Sequence, residues 1–451
     1  MRRLPFAAPL AVVALGGLAL RVAYVLIARR DAVVWGDALG YHAGANALAD
    51  GHGFIDPLRY DLSGIEVPSA IHPPVYTVYL AAWSLVGLDG PLAHRLASTL
   101  LGAGTVVVAG LLGRRLAGAR AGIVAAAFAA LYPHLWLNDG ALLSESAGGL
   151  GVALSFLAVE RYRAQPGVRR ALEVGATFAV ATLTRAELVM LFPLVALPLF
   201  LAVGPADAKE RSRRLLAGSV AAAVLVGPWV AHNLTRFEEP VTISNGLGST
   251  LLGGSCDAAF HGEKLGYWSD ECPTVEYRSG PDEATLARWQ ADPEGTRDEV
   301  RAYLAEYVAG EDDESERDIA SREAALEYIG DHKRRYVVVM AARVGRIWNV
   351  FRPAQNVRFD ADIEGRGRAG AWAALVSYYA LTALGVVGLA RLRRAGRPIW
   401  HYLVLAGIVT VTTAVTFGIQ RYRLPFDAVL PVLAAVPFGV PRMAARAARR
   451  T

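Results

Sequence analysis

Residues 5–28 read PFAAPLAVVALGGLALRVAYVLIA, and shortly afterwards residues 35–42 read WGDALGYH. As a helix, the first stretch is long enough to cross the ~30 Å of hydrocarbon in a bilayer. A helix is also the form such a run must take, because lipid offers its backbone N–H and C=O groups no partners. The second stretch then sets a lone acid, Asp37, between aromatic residues just beyond the membrane surface. Taken alone, an acid there is a helix cap or a solvated surface group. Its neighbours on the same side of the membrane decide otherwise.

Outward from this point the chain repeats the pattern. Of 451 residues, 54% are hydrophobic, and the mean hydropathy is +0.32, more apolar surface than soluble cores of this size hide. Spans are predicted near 5–28, 92–113, 120–137, 141–160, 168–185, 186–203, 214–233, 368–390, 398–418 and 424–440. The fold class is therefore an all-α polytopic membrane protein with about ten transmembrane helices, plus helices in outer-face loops. The net charge of +5 comes from basic clusters between spans: Arg2/Arg3, Arg114/Arg115/Arg120, Arg161/Arg163/Arg169/Arg170, Lys209/Arg211/Arg213/Arg214, Arg391/Arg393/Arg394/Arg397 and Arg442 to Arg450. All fall on the cytoplasmic side if the first span starts inside. They report topology, not nucleic-acid binding. Residues 72–88 are apolar enough to span, but counting them would put half the clusters outside, so they are predicted to be interfacial or re-entrant on the outer face. The first run ends in no small-residue cleavage site and reads as an uncleaved signal anchor in a multi-pass plasma-membrane protein.

Three regions follow. Residues 1–233 form an N-terminal membrane module containing a first outer loop, 29–91. Residues 234–367 form a long outer region, and 368–451 carry the last membrane helices. The only cysteines, Cys256 and Cys272, lie in the long outer region, where a disulfide suits an oxidising compartment. Further on, YVVVMAARVGRIWNVFRP reads as a helix in the interface with Arg343 and Arg346 snorkelling.

The outer ends of the spans carry ionisable residues. His72 opens HPPVY, Arg95 lies in HRLAST, and Glu145 lies in LLSESAGGL. Arg185 and Glu187 lie in TRAEL, and Arg421 and Arg423 in RYRLP. Helical spacing puts Asp37 and Tyr41 on one face. Ionisable groups at such depths are costly and are kept for function or pairing. Arginine's fixed fork of donors suits a phosphate, and at a membrane surface that means a lipid-linked phosphate. The acids are compatible with a divalent cation, but no ligand spacing calls for a metal, and no other cofactor is indicated.

The order WGDALGYH, ANALADGHGF, HPPVY, HRLAST, with YPHLWLNDGALLSES, TRAEL and RYRLP after it, resembles the GT-C superfamily of integral-membrane glycosyltransferases. It is most similar to the family of protein O-mannosyltransferases and the lipid A aminoarabinose transferase, in particular its actinobacterial members. The resemblance spans most of 20–255 and the last 70 residues. It implies a GT-C fold, a polyprenyl-phosphate-sugar donor used on the outer side of the membrane, and Asp37 as catalytic base. Where many members carry Asp-Glu, this chain has Asp37-Ala38, so a second acid must come from elsewhere, with Glu145 a candidate. Where the aminoarabinose transferase carries a lysine near HPP, this chain has His72.

The implied reaction suits the residues. A carboxylate can take the proton of an acceptor hydroxyl as it attacks, and arginines can stabilise the departing phosphate. One base opposite a phosphate clamp points to inversion, whereas retention would use a second carboxylate, which Glu145 could supply. The enzyme is thus expected to be a hexosyl- or pentosyltransferase whose acceptor is a glycan, lipid or protein. Its other partners are membrane lipids, with no nucleic acid. The alternative is a transporter or flippase of a lipid-linked sugar, but the absence of an internal inverted repeat and the short basic inner loops weigh against it.

Overall fold

The computed structural model describes residues 6–440 except 206, 274–282, 293, 294, 297, 301 and 303–312. The basic groups at Arg2/Arg3 and from Arg442 onward, and part of the acidic middle of the long outer region, lie outside the described residues. No strand occurs among the described residues; Ile55 and Pro68 form an isolated β-bridge.

The first span is α1 (Ala7–Tyr24) extended by a π-helical turn, Val25–Arg29. The chain then reverses at Gly36, whose φ of 57° and ψ of −137° suit only a residue without Cβ. That turn makes Asp37 the first residue of α2 (Asp37–Ala49). After α3 (Pro57–Ser63), capped by the Asp56 side chain, comes α4 (Pro74–Ser84). With 11 residues, α4 is about 16 Å long and cannot cross a bilayer. It packs against α2 through Tyr41, Ala45, Tyr76, Leu80 and Ala81.

The bundle continues with α5 (Pro91–Ala117), α6 (Ala119–Leu131), α7 (Pro133–Asp139), α8 (Glu145–Ala164) and α9 (Val168–Thr182). A 3-10 turn (Ala186–Met190), a π turn (Phe192–Ala196) and α10 (Leu197–Ala202) form the next rod, followed by α11 (Ala208–Asn233). Outside the bundle lie α12 (Leu247–Leu252), α13 (Asp257–Phe260), α14 (Glu283–Ala291), α15 (Glu314–Asp331), α16 (Lys333–Ile347) and α17 (Pro353–Asp362). The chain returns through α18 (Arg368–Arg394), α19 (Trp400–Val415), α20 (Leu424–Asp427) and α21 (Leu430–Ala435).

Each expected span coincides with helical segments, but four among the described residues are long and apolar enough to cross alone: Ala7–Arg29, Pro91–Ala117, Ala208–Leu234 and Arg368–Arg394. A fifth is counted if α6 and α7, bent by 54° to each other, make one span. Proline explains part of the difference; elsewhere α9 and α19 are short, at 15 and 16 residues, and α8 carries charged residues at both ends. Pro133 sits at the bend, Pro193 and Pro198 interrupt the 186–202 rod, and Pro425, Pro431 and Pro437 divide the last span into short turns, each removing a backbone donor and clashing with the preceding turn. Close approach of small residues packs the rods together. A Cβ on Gly122 would lie 2.6 Å from the Gly110 carbonyl, and one on Gly175 would lie 2.1 Å from that of Gly218, so α5 meets α6, and α9 meets α11, at backbone distance.

Buried ion pairs tie the bundle internally. Arg21 meets Asp139 at 2.6 Å, Asp427 meets Arg423 at 3.0 Å and His134 at 2.7 Å, and Glu160 holds Arg397 and His401. In the long outer region Cys256 and Cys272 are joined, with Cα atoms 5.3 Å apart. The start of α15 grips the segment before the HPP turn: Glu314 accepts from the Ala70 N–H at 3.0 Å, and Asp318 accepts from those of Gly246 and Gly248. The expectation for Arg343 and Arg346 is corrected. Both are fully buried: Arg343 donates to carbonyls of Gly254, Ala414 and Val415, and Arg346 to those of Glu263 and Leu265. Both close off loop and helix-end acceptors inside the protein instead of reaching headgroups.

Candidate active site

Five chain segments meet at one end of the bundle. Asp37 starts α2, His72 precedes α4, Glu145 starts α8, and Arg185 ends the turn after α9. Arg421 and Tyr422 come from the 3-10 turn before α20. Arg421 donates to Asp37 Oδ2 at 2.7 Å across 384 residues of sequence, and its Nε faces Glu364 at 3.9 Å. Arg185 donates to Glu145 at 2.9 Å and Glu187 at 2.6 Å. The Tyr422 ring lies against both cations, 4.9 Å from Arg185 and 5.4 Å from Arg421. Tyr41, one helical turn after Asp37, stacks on His72 at 4.1 Å, and Tyr76 meets Tyr41 edge-on at 5.0 Å.

The electrostatics are set by these contacts. Burial alone would raise the Asp37 carboxyl, but Arg421 and then His72 outweigh it and hold Asp37 at about 2. Burial pushes His72 below its ordinary value, against the pull of Asp37, so it is a neutral imidazole near pH 7. Burial pushes the Tyr41 phenol up, keeping it a hydroxyl. The Asp37 side chain remains 42% exposed while Arg421 is 16% exposed. The carboxylate therefore faces outward from a cation set behind it. Arg421 leaves its Nε without an acceptor, so donor capacity remains on that guanidinium. Arg185, by contrast, is matched by two acids. Beneath Glu145 a cavity of about 10 Å³, lined in part by Arg21, Gly102, Asp139 and Ser146, has room for about one water. Among the described residues no cluster of three or more His, Cys, Asp or Glu side chains is placed to hold a metal.

Asp37, Tyr41, His72, Glu145, Arg185, Glu187 and Arg421 are thus brought together. Two residues expected with them are not. Arg423 points back into the bundle, pairs with Asp427, and stacks 3.6 Å from the Tyr378 ring centroid. Its neighbour Arg421 points outward, as alternate residues of a tight turn do. Arg95 bonds the Ala32 carbonyl at 2.8 Å and sits beside Arg29 rather than the acids. Glu364 and Tyr422 joined the site unforeseen. Tyr422 could have been found from its place between the two arginines of RYRLP, whereas Glu364 carries no local signal.

Residues 71–232 match the family described as dolichyl-phosphate-mannose-protein mannosyltransferase. The all-α fold has counterparts among solved structures. It is similar to the archaeal oligosaccharyltransferase AglB from Archaeoglobus fulgidus, solved with an inhibitory peptide and a dolichol-phosphate, at 14% identity and a TM-score of 0.52, covering 96% of this chain and 50% of that one. The Archaeoglobus fulgidus oligosaccharyltransferase in complex with Zn and sulfate is similar at 14% identity and a TM-score of 0.53, covering 95% and 48%. ArnT from Cupriavidus metallidurans, bound to undecaprenyl phosphate, aligns at 16% identity and a TM-score of 0.41, covering 95% and 77%. The chain spans about half the length of the oligosaccharyltransferase. No curated protein matches this chain.

Proposed function

We propose that this protein transfers a sugar from a polyprenyl-phosphate donor to an acceptor hydroxyl on the outer face of the cytoplasmic membrane. The observation that carries the proposal is the Asp37–Arg421 pair at 2.7 Å, with the outward carboxylate in front of a cation that keeps free donors. In the reaction the acceptor oxygen attacks the anomeric carbon while Asp37 takes its proton. The bond from that carbon to the phosphate oxygen breaks, and the polyprenyl phosphate leaves with the electron pair. Arg421, backed by Arg185, meets the charge that develops on the leaving phosphate. Tyr41, His72, Glu145 and Glu187 line the sugar and acceptor positions.

The ion pair also couples binding to basicity. A carboxylate held at about 2 is a weak base. When Arg421 turns part of its charge to the donor phosphate, the hold on Asp37 slackens and its proton affinity rises. The base is strengthened only with donor in place, which disfavours idle protonation. The membrane-level pocket favours a lipid-linked donor. The test is release of polyprenyl phosphate from synthetic polyprenyl-phosphate sugars by the purified protein. Release should require an acceptor and Asp37; donor binding without release under any acceptor would favour a carrier of lipid-linked sugars.

A further inference from the structure

Six arginines are fully buried among the described residues: Arg21, Arg95, Arg214, Arg343, Arg346 and Arg423. Five of them are well supplied with acceptors. Arg21, Arg214 and Arg346 each make four hydrogen bonds, and Arg343 and Arg423 make three each. Arg95 is the exception. It is 1% exposed, donates once, to the Ala32 carbonyl at 2.8 Å, and leaves its Nε with no acceptor. A guanidinium has five N–H donors, so most of this one is unspent.

Its surroundings deepen the mismatch. The charged and titratable neighbours that act on Arg95 are Arg29, Tyr24 and Tyr76, with no carboxylate among them. Arg29, at the end of the first span, bonds the Gly365 carbonyl at 2.7 Å and the Gly140 carbonyl at 3.4 Å, and no ion pair to an acid forms at either arginine among the described residues. Two adjacent cations without an acid, one of them buried, repel each other and forgo the solvation they would have in water. Both arginines of the candidate site, Arg185 and Arg421, answer their charge with carboxylates.

We propose that Arg29 and Arg95 form a second oxyanion site, separate from the Asp37–Arg421 cleft, that binds the phosphate group of a lipid. Arg95 supplies unspent charge-assisted donors and Arg29 a second positive charge beside it. The phenols of Tyr24 and Tyr76 flank them. Arg29 ends the first span and Arg95 lies in the first turns of α5, and Ile27, Val33 and Trp35, close to Arg29 in the chain, are exposed at 85%, 79% and 61%, an apolar approach for an acyl or prenyl chain. The site shares no hydrogen-bond acceptor with Arg185 or Arg421, so it does not depend on the proposed transfer. The lipid is either polyprenyl phosphate or a phospholipid with an anionic headgroup.

Native mass spectrometry of the full chain, with farnesyl phosphate as probe, counts the bound lipids. The wild type should carry two adducts, and Arg29→Gln and Arg95→Gln one each, the lost adduct being bound roughly ten- to a hundredfold more weakly. Arg421→Gln should remove the other adduct. Phosphatidylglycerol added in excess separates the sources: displacement of the Arg29-dependent adduct assigns the site to phospholipid headgroups, and its persistence assigns it to polyprenyl phosphate. A folded Arg29→Gln variant that keeps two adducts overturns the proposal, as does a single wild-type adduct removed by Arg421→Gln alone. Because Arg29 is only half-buried, its variant decides the matter if Arg95→Gln does not fold. Should Arg421→Gln keep both adducts while Arg29→Gln loses one, the phosphate placement in the cleft fails and the second site stands.

Discussion

Replacing Arg421 by glutamine should change both the level and the pH dependence of turnover. Arg421 is the strongest force holding the Asp37 carboxyl at about 2, against a burial that by itself raises it. With the cation gone, burial prevails and the carboxyl should titrate above its ordinary 3.8, a rise of at least about two pH units. The base must be ionised to work, so activity fades as pH falls through this value. In the wild type that loss lies near pH 2, below any pH the fold is expected to survive, and kcat/KM on the free enzyme should be flat down to about pH 4.5. In the variant an acid limb should enter the measurable range above pH 4. Separately, loss of a charge-assisted contact to the leaving phosphate should lower kcat/KM at every pH by about 1.5–3 kcal/mol, roughly ten- to a hundredfold or more. Lysine at this position should restore much of the pH profile, since it restores the charge, but less of the rate, since it lacks the fork. The assay is polyprenyl phosphate release between pH 4 and 8. A folded Arg421→Gln variant with the wild-type profile would refute the coupling between the two residues. Stability follows the same sign: Asp37 supports the wild-type fold above pH 3.8 and ceases to as pH falls through about 2.

Other variants probe the scaffold. Removing the Cys256–Cys272 bridge, whose cysteines are 16 positions apart, should cost roughly 3 kcal/mol in the chain-entropy view; thermal unfolding with and without reductant measures it, and a two-proton mass change on reduction confirms the bond. Gly102→Ala would place a Cβ 2.0 Å from Asp139 Oδ2 and 2.6 Å from Arg21 Nε, so the buried pair must part, at about 3–5 kcal/mol; an unchanged unfolding temperature would contradict that geometry. Arg423→Ala should fail in folding rather than in kinetics, because it strands Asp427 in the bundle, and a well-folded variant with weak donor use would return Arg423 to the cleft.

Much of the bundle could be read in the hydropathy, since lipid leaves an apolar run few alternatives to helix. The prolines that divide the last span were equally visible, yet their effect depends on what the broken backbone packs against. Asp37, His72 and Arg185 stood out because they are charged or polar groups beside apolar runs. Their pairings did not, because the Asp37–Arg421 contact joins the two ends of the chain and Glu364 sits in an unremarkable acidic turn. Arg423 had a legible partner in Asp427, four residues on and so on the same helical face, but its neighbour Arg421 made both look outward. Arg343 and Arg346 misled for a different reason. A basic amphipathic pattern looks alike whether lipid headgroups or stranded carbonyls receive the arginines. Arg95 was legible as a cation at the end of a span, while its lack of an acid emerged only from the packing.

The central claim rests on Asp37, and Asp37→Asn tests it most directly. Asparagine keeps the shape and can begin a helix as well as aspartate, but it cannot take the acceptor's proton. Donor affinity, thermal unfolding and turnover should be measured on this variant beside the wild type. The account predicts a folded protein that binds donor as tightly as before, or slightly more tightly with Arg421 released, and turns over about 10²–10⁴-fold more slowly. Normal turnover in Asp37→Asn would contradict it and return Asp37 to the role of a helix-start acid.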